Sequence, residues 1–155
     1  MTEGRFLDTD DGARIWFDIL NPECTGTPLV LCDGLGCDGF IWPYIIQATS
    51  PTHRIVRWHY RGHGQSTPPT NRARMTLQLL AQDLRLVMDA LELPQAVLAG
   101  HSLGVQVILE FYRQYPERVF GLVPVCGSYG RPGDTFYGLT FLRSGFEVLI
   151  NLAKT

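Results

Sequence analysis

The chain has no cluster of lysine or arginine, and its formal net charge is only −2. That balance leaves no electrostatic footprint for nucleic acid or for an anionic membrane surface. No apolar run reaches the ~20 residues needed to cross a bilayer. The N-terminus, MTEGRFLDTDDG, is acidic where a secretory signal needs a basic start and then an apolar run. The expectation is a soluble, cytoplasmic protein. The four cysteines, Cys24, Cys32, Cys37 and Cys126, contain no C-x-x-C, and the Cys32–Cys37 spacing has no second ligand pair to match it. No metal and no other cofactor is expected; free buried thiols in a reducing compartment account for the cysteines. Internal repeats and low-complexity tracts are also missing.

What is present is an ordinary globular composition, 45% apolar and 18% charged over 155 residues. That is enough for one domain and one core. Phe6–Asp10 and Arg14–Leu20 read as two strands around Asp11-Gly12, a hairpin signal. Leu29–Cys32 is a short, wholly apolar run, as a strand buried on both faces would be. A glycine-rich loop with Gly34, Gly36 and Gly39 follows, then a strand at Ile55–Trp58 and a loop at Tyr60–Pro69. From Thr76 the period changes: Leu77, Leu80, Leu84, Val87, Met88 and Leu91 recur every three or four residues, one face of a helix with Thr76 as its N-cap. Ala96–Ala99 is the next strand. A second helix runs through Val107, Ile108, Phe111, Tyr112 and Tyr115 to Pro116, and Val119–Val125 is a further strand. Phe136–Lys154 is weakly amphipathic. Strands alternating with helices at this spacing predict an α/β fold with a mostly parallel sheet and flanking helices.

One stretch carries chemistry. AGHSLGV, residues 99–105, sets Ser102 between Gly100 and Gly104 at the junction of the Ala96–Ala99 strand and the following helix. A strand that opens directly into a helix through G-x-S-x-G needs a very sharp turn, which lifts the serine Oγ clear of the sheet. Small residues are needed two before and two after because the two backbones approach closely there. The residue after the serine, Leu103, would aim its backbone N–H from the first helical turn at an oxyanion. With five serines and 16 glycines in the chain, chance would produce roughly 0.05 such matches, before the strand-to-helix context is required.

Together with that stretch, LVLCDGLGCDGFIW and RWHYRGHGQSTPP resemble the α/β-hydrolase superfamily in its serine-nucleophile branch. The first resembles the third strand and oxyanion loop. The second resembles the loop after the fourth strand, usually D-x-R-G-x-G-x-S. The likeness runs from Arg14 to about Ser128. It implies that Ser102 is the nucleophile and that the backbone N–H groups of Leu35 and Leu103 form the oxyanion hole.

The sequence departs from that pattern twice. The family usually has His-Gly where Asp33-Gly34 stands, and the histidine braces the oxyanion loop. Asp33 can brace it only as an acceptor, and a bare carboxylate beside a developing oxyanion would oppose the reaction. Asp33 is therefore expected to be turned away or paired, with Arg61 as a candidate partner. The second departure concerns the base. The family order is serine, acid, histidine, but His53, His59, His63 and His101 all precede Ser102, and 53 residues follow it. Of the later carboxylates, only Asp134 has even a weak positional claim to be the triad acid. The chain thus resembles the N-terminal half of the fold: residues 1–128 as part of the core, 129–155 as the start of a cap.

The expected function is a serine hydrolase acting on a small carboxylic ester, thioester or lactone through an acyl-enzyme, with the histidine, and with it the acid, supplied from outside this chain. Alone, the chain would be inactive. A serine at the elbow argues against the family's dehalogenases and epoxide hydrolases, whose nucleophile is a carboxylate. The alternative is a non-catalytic member that binds a ligand or partner in the same pocket. No nucleic-acid or membrane partner is expected, but the C-terminal half of the same fold, or self-association, would be needed to cover the Val119–Val125 edge.

Overall fold

A hairpin opens the computed structural model, which describes residues 4–71 and 75–129. Strand β1 (Arg5–Asp8) lies antiparallel on β2 (Arg14–Leu20). The first strand ends two residues earlier than its β-propensity suggests because Thr9 already turns the chain. Its hydroxyl bonds the Asp11 carboxylate at 2.6 Å and accepts from the Ala13 N–H at 3.1 Å.

From β2 onward the chain alternates: β3 (Leu29–Cys32), α1 (Pro43–Thr49), β4 (Ile55–Trp58), α2 (Leu77–Ala90), β5 (Ala96–His101), α3 (Leu103–Gln114), a 3₁₀ turn (Pro116–Arg118) and β6 (Val119–Val125). The sheet order is β1-β2-β4-β3-β5-β6. The last four strands are parallel, and β2 joins them antiparallel. This is the mixed, mostly parallel α/β sheet that the alternating pattern predicts. Thr76 caps α2 by accepting from the Leu79 N–H. Helix α1 has no counterpart in the sequence reading. It is seven residues long, buries none of them, and starts with Pro43 at its first turn.

The two faces of the sheet are set by the two-residue alternation of the strands. Val30, Cys32, Val56, Trp58, Ala96 and Leu98 join the principal core with the apolar faces of α2 and α3. Leu29, Leu31, Ile55 and Ala99 point the other way and pack with Trp42. Within that core, Arg61 is a polar tie. Its guanidinium spans Asp83 of α2 through two bonds of 2.6 and 2.7 Å, and it reaches Asp11 of the hairpin turn at 2.7 Å.

After β3 the chain moves to β4 on one side, and β5 then returns to the other side of β3. The crevice between the carboxyl ends of β3 and β5 is therefore the switch point of the sheet, where open α/β sheets place their ligands. The residues that leave those two strand ends are Asp33-Gly34 and Ser102.

Candidate active site

Ser102 follows β5 directly and is the N-cap of α3, with φ 52° and ψ −111°. A serine in this region stores strain of about 1–3 kcal/mol and keeps the conformation only where the surroundings enforce it. They do. Its N–H is held by the Val125 carbonyl at 3.1 Å, and its carbonyl accepts from Val105 at 3.1 Å. Any Cβ on Gly100 would stand 2.3 Å from the Gly104 carbonyl oxygen, and one on Gly104 would stand 2.1 Å from that of Cys32. The glycines at both flanking positions are thus steric requirements of the turn. The strand itself runs two residues beyond Ala99, because Gly100 and His101 still pair with Pro124 and Val125. The Ser102 residue is exposed.

The loop after β3 lies against this turn. A Cβ on Gly34 would be 3.3 Å from the Ser102 Cβ and 3.0 Å from His101 Nδ1. The peptide that follows Gly34 carries the Leu35 N–H. Among the described residues the Leu35 N–H has no backbone acceptor, and Leu103 is the first residue of α3, so its N–H is one of the helix's orphan donors. The Leu35 side chain points into solvent.

Asp33 is buried, but its partner is not Arg61, whose guanidinium is consumed by Asp83 and Asp11. Instead the Trp42 indole N–H donates to the Asp33 carboxylate at 2.6 Å, and the Gly39 backbone N–H donates to it as well. The Tyr60 hydroxyl donates to the Asp33 carbonyl at 2.7 Å. Burial pushes the Asp33 carboxyl above the ordinary aspartate range, against the lowering effect of these donors and of His59. Arg61 is unavailable to Asp33 because its planar fork is matched by the Asp83 carboxylate of α2.

None of the four histidines hydrogen-bonds the Ser102 hydroxyl among the described residues. His53 meets the Thr52 hydroxyl, His63 lies against Tyr60 and the Arg61 carbonyl, and His101 packs edge-on to Trp42. His59 is stacked on Trp16 with ring centroids 4.3 Å apart. Asp134, the cap segment and the Phe136–Lys154 helix pattern lie outside the described residues.

A cavity of about 170 Å³ opens beneath the 34–42 loop, lined by Trp16, Asp33, Trp42, Arg57 and His59 among others. Ser102 lies outside it. Among the described residues no group of three or more His, Cys, Asp or Glu side chains is placed to hold a metal ion. No helix there is long and apolar enough to cross a membrane.

Residues 27–143 match the family model described as alpha/beta hydrolase fold. A Caulobacter vibrioides protein, RutD, whose name offers carbamate hydrolysis as its proposed activity, is 36% identical over 124 residues, covering 74% of this chain and 44% of its own length. The mouse protein named bifunctional epoxide hydrolase 2 is 31% identical over 140 residues, covering 90% of this chain and 25% of its own. The crystal structure of a hydrolase from Pseudomonas aeruginosa superposes with a TM-score of 0.75 at 27% identity, covering 93% of this chain and 57% of that one. The chain spans less than half the length of the curated relatives it is compared with here.

Proposed function

Because the chain belongs to the α/β-hydrolase fold family, we propose that the protein carrying it is a serine hydrolase that opens small carboxylic esters, thioesters or lactones. Ser102 Oγ attacks the carbonyl carbon. The carbonyl oxygen takes up the electron pair and is held by the Leu35 and Leu103 N–H groups. The serine proton passes to a histidine that is none of the four in this chain, which returns it to the departing alcohol or thiol. Water then attacks the acyl-serine by the same route in reverse, releasing the acid and restoring Ser102.

The observation that carries this reading is the strained, exposed serine at φ 52°, enforced by two glycines that cannot hold a Cβ. A tight turn alone would be relieved by glycine at 102. A hydroxyl kept there, at the switch point and beside free N–H donors, is a reactive hydroxyl in waiting. Relatives named for carbamate and epoxide hydrolysis leave the substrate class wide. The serine favours acyl chemistry. The four free cysteines fit a reducing compartment such as the cytoplasm. The remaining part of the fold, or a second copy of the chain, is proposed to cover the outer edge of β6.

A fluorophosphonate probe tests the reading. The protein should be phosphonylated at Ser102, and Ser102→Ala should lose both the label and turnover of short p-nitrophenyl esters. A second reading, a binding protein without turnover, is favoured by the lack of any described histidine on the serine. A folded protein that neither labels nor turns over would establish that alternative.

A further inference from the structure

Resting on the serine-hydrolase reading, we propose that Asp33 and His59 are paired positioning residues that hold the 34–42 loop, and with it the Leu35 N–H, in place for the oxyanion. The pairing begins in the sheet. β3 and β4 are parallel with Leu31 opposite Arg57. Two residues on, each just past its strand end, Asp33 and His59 stand at matching positions. Both are more than nine-tenths buried, and both line the cavity beneath the loop.

Both residues grip the same peptide of the loop, the one joining Asp38 to Gly39. Asp33 accepts from the Gly39 N–H and from the Trp42 indole. The Asp38 backbone carbonyl accepts from the His59 ring, whose Nδ1 accepts from the Gln65 N–H at 3.0 Å. A ring that accepts at Nδ1 and donates at Nε2 is neutral. So the histidine couples the loop after β3 to the loop after β4, while the carboxylate holds the N–H side of the same peptide. Trp16 fixes the ring by stacking, and Gly64 leaves it room, since a Cβ there would lie 2.5 Å from Nδ1.

The charges around the ring are consistent with that neutral form. Asp33 and Asp38 favour protonation of His59, while burial and Arg57 oppose it; burial dominates and pushes the imidazole below its ordinary value of 6.5. Arg57 is itself engaged by Asp18. Protonation would convert Nδ1 from acceptor to donor and break its bond to Gln65.

The test is a charge exchange in the protein carrying this chain. Asp33→His and His59→Asp should each lower kcat on short esters and the rate of Ser102 phosphonylation, by about 100-fold for a displacement of the oxyanion donor, with KM little changed. The double exchange should recover at least about tenfold over the worse single variant, because it restores an acid–imidazole pair. A double exchange no better than the product of the singles, with wild-type Ser102 still labelled, overturns the pairing and leaves the serine reading intact. Failure of wild-type Ser102 to label sinks the serine reading and the proposal together. Should the exchanges not fold, Asp33→Asn and His59→Gln give the same cycle, and additive losses overturn the pairing. Independently of turnover, nitrogen NMR of His59 should show an unprotonated Nδ1 and an imidazole pKa that falls in Asp33→Asn; a protonated Nδ1 at neutral pH counts against it.

Discussion

Gly34 backs onto Ser102 so closely that a methyl group on the glycine would stand 3.3 Å from the serine Cβ. The contact is tight but yields, because its other neighbours are the His101 ring and the Cys37 sulfur, both side-chain atoms. Gly104 differs. A Cβ there meets the Cys32 carbonyl oxygen at 2.1 Å and that of Asp33 at 2.9 Å, and backbone does not swing aside. Gly34→Ala should therefore leave the melting temperature within a few degrees while slowing ester turnover by roughly 10-fold or more through displacement of the Leu35 peptide. Gly104→Ala should destabilise by about 1–3 kcal/mol, the ordinary range of overpacking. Paired thermal melts and rate measurements check both. A Gly104→Ala variant as stable as wild type would mean that the turn is looser than its contacts imply.

A residue held in a strained conformation leaves a mark on stability. Ser102 at φ 52° is in a region glycine enters without steric cost. Ser102→Gly should raise the unfolding free energy by about 1 kcal/mol while abolishing turnover. Ser102→Ala keeps the Cβ, so it should abolish turnover without that gain. Denaturant titration of the two variants measures the difference directly. Equal stability of the two would show that the elbow is not strained.

The elbow was legible because its requirement is local: two glycines, one hydroxyl and a change of period, all within seven residues. The pairing of Asp33 with Trp42 was not, since α1 and the approach to it carry no strong periodicity, and Trp42 comes within reach only after the loop folds back. Arg61 illustrates the same limit. Its partners Asp83 and Asp11 are 22 and 50 residues away, and no local pattern announces them. Chain order alone argues against His59 as the base. The strand register, invisible in the sequence, sets it opposite Asp33.

Arg61 is where the hairpin, the loop after β4 and helix α2 are tied together. Its guanidinium and the Asp83 carboxylate are both almost wholly buried, and Asp11 is nearly so. Arg61→Met keeps the apolar stem but leaves two buried carboxylates without their cation. Breaking such a pair from one side costs about 3–5 kcal/mol, well above the value of an exposed ion pair. Arg85→Met, which breaks the partly exposed bond to Asp89, should cost about 0.5 kcal/mol by comparison. Chemical denaturation of the two variants should separate them clearly. A loss at Arg61 as small as that at Arg85 would show that water reaches the Asp83 carboxylate.

The outer strand β6 sets the last expectation. It is the terminal strand of the sheet among the described residues, and Phe120 and Val123 on it are 68% and 45% exposed. An edge strand with apolar side chains and a row of open peptide groups recruits another strand. Pro124 interrupts that row near its end, where a proline is tolerated in an outer strand, but the residues before it are not guarded by charge. We therefore expect the 155-residue chain, prepared by itself, to self-associate at micromolar concentration. Phe120→Lys with Val123→Lys sets two like charges along the edge and should shift the material towards monomer without loss of helical signal. Sedimentation velocity over a concentration series reads both forms. A wild-type chain that sediments as a single monomeric species at every concentration would show that the β6 edge is covered within the chain itself.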